Sequence, residues 1–135
     1  MFTACTAIIV LKGNLVLLGY RSDGQGWSFA GGKQEPEEDL EACAKRELHE
    51  EFGLLASRLE PLGRIHSSSL VHGVLLTVHP MVYLCREYTG TIKMRIEEML
   101  DFQWVSLDQA DQIPDLYPPT QEALHTYTEL IQKRC

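Results

Sequence analysis

The stretch Gly32–Leu54 reads GKQEPEEDLEACAKRELHEEFGL. Glu35-Pro36-Glu37-Glu38-Asp39 leads into a helix with acids near its first turn, where the helix dipole favours them. The spacing predicts helix to about Phe52 and a stop at Gly53, a residue suited to the position just past a helix end. On a wheel of about 100° per residue, Leu40, Ala44 and Leu48 form an apolar arc with Cys43 at its edge. Glu47 and Glu51 project onto that same arc, Glu50 sits at its border, and Ala42, Lys45, Arg46 and His49 point outward. A merely solvated helix would turn its glutamates away from the apolar side. Carboxylates at this spacing repel each other even when exposed, and burial raises the cost steeply unless cations neutralise them. Hard divalent cations with carboxylate oxygen ligands do so, and Mg²⁺ is the physiological choice. The wheel alone leaves a second reading open, an acidic surface face paired with Lys45 and Arg46.

Upstream of the helix, Gly31-Gly32 lets backbone approach a ligand closely, because no Cβ intervenes. Lys33 and Arg21 can reach phosphate oxygens, and Glu38 can support the carboxylate cluster. Phosphoryl chemistry needs this mixture of metal-holding carboxylates, a group to orient water, and cations for the leaving group.

Farther out, Thr3–Leu11 suits a strand, Lys12-Gly13-Asn14 a turn, and Leu15–Tyr20 the returning strand. Ser22–Gly26 reads as a loop, and Trp27-Ser28-Phe29 as a short extended piece broken by Gly31-Gly32. Arg58–His66, Val74–Cys85, Thr91–Met94 and Phe102–Val105 are expected strands, and Thr120–Lys133 an expected closing helix. Strands around two helices in one 135-residue chain predict a single domain, residues 1–135, of α/β class: a mixed sheet with helices on its faces.

Composition sets limits. Hydrophobic residues are 44% and charged residues 23%, as in an ordinary globular core former. A net charge of −7 argues against gripping a nucleic-acid polymer, yet permits a short phosphate ligand held through metal ions. No apolar run is long enough to span a membrane, and Met1–Leu11 lacks the basic leader and cleavage site of a signal peptide. Cys5, Cys43, Cys85 and Cys135 form no CxxC pair and are expected as reduced thiols in a cytoplasmic protein. His66, His72 and His79 lack zinc-ligand spacing and are expected as core or surface residues, and His49 faces solvent.

Residues 32–54 resemble the Nudix box, G-x5-E-x7-R-E-U-x-E-E-x-G-U with U aliphatic. Gly32, Glu38, Arg46, Glu47, Glu50, Glu51 and Gly53 occupy every fixed position, and Leu48 and Leu54 the aliphatic ones. Trp27 and Phe29 before the glycines, and Trp104-Val105-Ser106-Leu107-Asp108 later, are similar to the family's usual surroundings. Two positions depart: Ala30 stands where proline is common, and Glu37 where a second glycine is common. The resemblance implies a Nudix-type α/β/α sandwich and hydrolysis of a pyrophosphate bond with Mg²⁺, or Mn²⁺ as a substitute. It implies that Glu50 and Glu51 ligate metal, that Glu47 ligates metal or activates water, and that the Gly31 carbonyl is a further possible ligand. Arg46 would orient Glu47. The last carboxylate of the family fits Glu98, with Glu97 as the alternate, so the general base is Glu47 or Glu98. Arg21, Lys33, Gly32 and Gln121 are the expected substrate contacts. Gln121 follows Tyr117-Pro118-Pro119-Thr120, similar to a stretch whose amide reads the base in MutT-type members; ordinary helix-start prolines and a surface Gln are the competing reading. Markers of ADP-ribose, dinucleoside polyphosphate and NADH hydrolases are missing. The resemblance therefore implies a MutT-type pyrophosphohydrolase of a nucleoside triphosphate, including an oxidised one such as 8-oxo-dGTP. Its alternatives are a nucleotide sugar, ADP-ribose or dinucleoside polyphosphate hydrolase, or a non-catalytic nucleotide sensor. The expected partner is a small nucleotide, with the chain a monomer or homodimer.

Overall fold

The computed structural model describes residues 4–134; Thr3, expected to open the first strand, and Cys135 lie outside the described residues. Strands β1 (Cys5–Lys12) and β2 (Leu15–Arg21) turn at Gly13-Asn14 and pair only beside that turn, at Leu11–Val16 and Lys12–Leu15. They then diverge. The gap is filled by the next segment: β3 (Trp27–Ser28) pairs with β2, and β4 (Ala30–Lys33) pairs with β1. On its other edge β1 takes β8 (Met81–Thr89) in parallel, and β8 takes β5 (Leu55–Arg64) antiparallel. Strand β9 (Met99–Ser106) closes the far side of β2. The sheet is therefore mixed, as expected.

Its two faces are both buried, so β1 reads as a continuous apolar run rather than an alternation. Ile8 and Val10 point to one side with Tyr83 and Cys85, against helix α1 (Leu40–Phe52). Ile9 and Leu11 point to the other with Val82 and Leu84, against α2 (Leu107–Ala110) and α3 (Pro118–Arg134). The layers are α/β/α. No helix among the described residues is long and apolar enough to cross a membrane.

Helix α1 begins where Asp39 accepts a hydrogen bond from the Ala42 N–H at 2.7 Å and ends at Gly53, whose φ of 74° is left-handed. Glu37, at the position where the family commonly has glycine, also adopts positive φ, 67°. The helix buries Cys43, Ala44, Leu48 and Phe52 and, as the wheel predicts, Glu47 and Glu51.

Several expectations change. Gly31-Gly32 does not break the strand: both lie within β4. The run Val74–Cys85 is two strands, β7 (Val74–Val78) and β8, interrupted at His79-Pro80. Proline offers no N–H to a ladder and restricts the residue before it. Strand β7 pairs instead with β6 (Ser67–Val71), which the sequence reading missed, in a separate two-stranded sheet. Thr91–Met94 is not a strand; the Lys93 N–H is used by α1, donating to the Phe52 carbonyl at 2.8 Å.

Phe52, at the carboxyl end of α1, packs on the sheet at Gly19, where a Cβ would lie 2.6 Å from Phe52 Cζ and 2.7 Å from Met99 Sδ. Gly19→Ala is expected to destabilise the fold by about 1–3 kcal/mol through overpacking, read as a lower denaturant midpoint with an unchanged m-value.

Candidate functional site

The register of β4 and α1 brings two glycines under the carboxylates of the helix. A Cβ on Gly31 would sit 2.1 Å from the Thr6 carbonyl oxygen, and one on Gly32 would sit 2.5 Å from Glu47 Cδ. Neither place admits a side chain. The Gly31 N–H donates to Glu51 Oε1 at 2.8 Å. Glu47 and Glu51 are only 8% and 6% exposed.

Glu98 joins them from the loop before β9. That loop runs past the end of α1, where the Lys93 and Arg95 N–H groups donate to the Phe52 and Glu51 carbonyls, at 2.8 and 3.3 Å. These are carbonyls that the helix itself leaves without partners. A turn closed by the Glu98 N–H on the Arg95 carbonyl, 2.9 Å, then aims Glu98 at the helix. One carboxylate oxygen each of Glu47, Glu51 and Glu98 lie within 4.8 Å of one another. They line a recess of about 230 Å³ with Gly31, Arg21 and Glu97.

Arg46 corrects its place on the wheel. It is not outward but half-buried, because a long side chain need not leave the helix radially. Its Nε and Nη2 make a fork on Glu38 at 3.0 and 2.8 Å, Nη1 donates to Glu47 at 2.9 Å and to Glu50 at 3.2 Å, and Nη2 reaches the Lys33 carbonyl at 2.9 Å. Glu50 stands apart from the trio, held by Arg46 and 4.0 Å from Arg95.

The electrostatics follow from this packing. Burial pushes the Glu47 carboxyl up to about 7; the Arg46 hydrogen bond pulls it back, and Glu98 and Glu50 push it further up. Burial raises Glu51 well above the usual carboxylate range against the pull of the Gly31 N–H, with Glu47 and Glu98 adding repulsion. Glu38 moves the other way, down to about 2, through its hydrogen bonds from Arg46. Three oxygen donors converging at this distance, two of them buried and short of positive partners, fit a hard divalent cation.

Beside the recess, and sharing Arg21, Asp23 and Gly31 with it, opens a cavity of about 900 Å³. Its walls are Phe29 and β4 on one side, Tyr117, Pro119 and Thr120 on another, and the β6–β7 hairpin on a third. Lys33, Gly32 and Arg21 line it. Arg21 is engaged, with Nη2 2.6 Å from Asp23 and its guanidinium 4.0 Å from the Tyr117 ring centre. Gln121 does not line the cavity: it is exposed on the first turn of α3. Thr120, buried, accepts from the Phe29 N–H at 3.1 Å, so Tyr117 and Pro119 face inward and Gln121 is carried outward. His66 and His79 line the cavity wall, packed edge to face with ring centroids 4.3 Å apart. Asp23, Ser69 and Tyr117 were missed as site residues; the Tyr117-Pro118-Pro119 stretch was the one available signal. Cys5, Cys43 and Cys85 are free thiols.

Comparison with known proteins bears on this geometry. The family model described as NUDIX domain matches residues 1–127. The chain is 35% identical over 132 residues to the mouse oxidized purine nucleoside triphosphate hydrolase, covering 96% of this chain and 80% of that protein. It is 33% identical over 112 residues to the CTP pyrophosphohydrolase of Escherichia coli (strain K12), covering 80% and 78%. Among solved structures, the E. coli ORF135 protein superposes with a TM-score of 0.75 at 27% identity, over 98% of this chain and 93% of that one. A MutT NUDIX hydrolase from Burkholderia pseudomallei shares the fold, with a TM-score of 0.75 at 22% identity over 96% and 97%.

A carboxyl whose folded pKa is raised gives stability that is complete below its unfolded value and lost as pH rises through the folded one. Glu47 and Glu51 should therefore cost the cation-free protein stability as pH rises from about 4.5 through about 7. Glu38, shifted down, loses its contribution only as pH falls toward about 2. Thermal melts in a chelator are expected to drop by about 5 °C between pH 5 and pH 8, and millimolar Mg²⁺ should remove most of that drop. A melting curve equally pH-dependent with and without Mg²⁺ would contradict the assignment.

Proposed function

Because this chain belongs to the Nudix family of hydrolases, we propose that it is a Mg²⁺-dependent pyrophosphohydrolase converting a nucleoside triphosphate to the monophosphate and pyrophosphate. The observation that carries the reading is the trio Glu47, Glu51 and Glu98, two of them buried, opening beside a cavity of about 900 Å³. The cavity walls hold Arg21, Lys33 and Arg64 against one carboxylate, Asp23, in a chain of net charge −7. That excess of cations suits an anionic ligand. The relatives named as oxidized purine nucleoside triphosphate and CTP hydrolases support a triphosphate, with an oxidised purine such as 8-oxo-dGTP as the first base to test.

Glu47, Glu51 and Glu98 would hold the cation, with Glu50 able to join by turning off Arg46 and the Gly31 carbonyl adjoining. The ion, when bound, neutralises phosphate oxygens and acidifies water. Arg46 acts through Glu47: bonded also to Glu38, Glu50 and the Lys33 carbonyl, it fixes the carboxylate where a free side chain would rotate. Glu98 is at the solvent-facing side of the recess and has no Arg46 bond, so it is the better-placed group to take a proton from the attacking water. Arg21, Lys33 and the Gly32 backbone would hold the phosphates. A single domain over residues 1–135, working in the cytoplasm, is part of the same proposal.

Product analysis on a panel of ordinary and 8-oxo triphosphates, CTP, ADP-ribose, a nucleotide sugar and a dinucleoside polyphosphate tests the reading. Pyrophosphate plus monophosphate from a triphosphate is expected, and turnover of only a linked diphosphate would move the substrate class. Glu51→Gln should lower kcat about 100-fold or more and raise the Mg²⁺ requirement. Glu98→Gln should lower kcat as strongly and, because Glu98 also holds the cation, raise the Mg²⁺ requirement as well. Full activity in Glu51→Gln would overturn the metal role.

A further inference from the structure

Among the described residues, the β6–β7 hairpin pairs with no other strand. A two-stranded hairpin is marginally stable by itself, and this one spreads over the cavity rather than over core: Ser69, Leu76 and Val78 line the space beneath it. Leu70, Val74 and Leu75 are 51%, 56% and 67% exposed. β6 also lies beside α3, but a helix does not pair with the free edge of that strand.

A side chain from the β2–β3 loop does. Gln25 Oε1 accepts from the Leu70 N–H at 2.9 Å, and Gln25 Nε2 donates to the Leu70 carbonyl at 3.0 Å. The amide of Gln25 thus stands where a neighbouring strand residue would stand at the edge of β6. Gln25 is itself fixed: its backbone N–H donates to Asp23 Oδ1 at 3.0 Å and its Nε2 to Asp23 Oδ2 at 2.9 Å. Asp23 in turn receives Arg21 through Nε and Nη2. Arg21 lies over the Tyr117 ring, and the Tyr117 hydroxyl bonds the Ser69 hydroxyl at 2.5 Å. The chain of contacts closes on β6, where it began. Arg21, Asp23, Ser69, Leu70 and Tyr117 line the cavity, and Gln25 does not.

We infer that Gln25 is a positioning residue: its amide clasps the β6–β7 hairpin as a roof over the cavity and so sets the affinity for the base and sugar of the substrate. The clasp stands on geometry alone; the identity of what it covers rests on the nucleotide reading above. Gln25 does not line the carboxylate recess, and Asp23 keeps its two bonds to Arg21 without it, so loss of the clasp acts first on binding.

The test pairs amide hydrogen exchange with steady-state kinetics on the full chain, for wild type, Gln25→Ala and Gln25→Glu. Gln25→Ala removes both bonds to Leu70, and exchange across residues 67–78 is expected to speed up about tenfold while α1 is unchanged. KM for the best triphosphate should rise about tenfold with kcat within about twofold. Gln25→Glu keeps an acceptor for the Leu70 N–H, loses both donors and sets a charge beside Asp23, so its effects should run the same way and be larger. Unchanged exchange at residues 67–78 in both variants would overturn the clasp. Faster exchange with unmoved KM, or a fall in kcat at constant KM, would overturn the roof. Should wild type turn over no nucleotide, the functional reading fails while the exchange measurement still decides the clasp.

Discussion

Glu47 and Glu51 occupy the side of α1 that packs on the sheet, and Glu98 is brought against them by a loop folded over the helix end. Within this trio the positive partners are few: Arg46 for Glu47, one backbone N–H, that of Gly31, for Glu51, and Arg95, 3.9 Å away, for Glu98. Buried carboxylates so arranged cost free energy, and apolar residues of the same size would serve stability better. The surroundings nevertheless preserve the cluster. Gly31 and Gly32 leave room that any side chain would fill, and Arg46 spreads its bonds over Glu38, Glu47, Glu50 and the Lys33 carbonyl. Uncompensated negative charge held rigidly is what a cation site requires before the cation arrives.

The sheet explains why a large cavity opens beside this site. Because β1 and β2 separate after two residue pairs, β3 and β4 fill the gap, β3 on the β2 side and β4 on the β1 side. Arg21, on β2, and Gly31, on β4, therefore border both the recess and the cavity. A ligand with an apolar ring system at one end and phosphates at the other matches that division of chemistry.

Much of this was legible in the sequence. The helix and its buried glutamates follow from periodicity, because apolar and acidic residues share one arc. The mixed sheet with helices on its faces follows from the order of strands around two helices. Other features depend on distant contacts. Glu98 was named only through the family resemblance, since its place depends on loop N–H groups finding the last carbonyls of α1. Arg46 was put outside because a wheel treats every side chain as radial. The two strands within Val74–Cys85 were merged because β-branched residues on both sides of Pro80 mask the break. Gln121 was set in the site by likeness of a short stretch, whereas burial of Thr120 against Phe29 rotates it to the surface. Nothing local in Gln25 announces a partner 45 positions later.

Isothermal titration of the chelated protein with Mn²⁺, wild type beside Glu51→Gln, tests the central claim most directly. Saturable binding at the trio in wild type, weakened about 10-fold or more in Glu51→Gln, is the result this account predicts. Equal Mn²⁺ affinity in the two proteins would contradict it, because the buried carboxylates would then hold no ion.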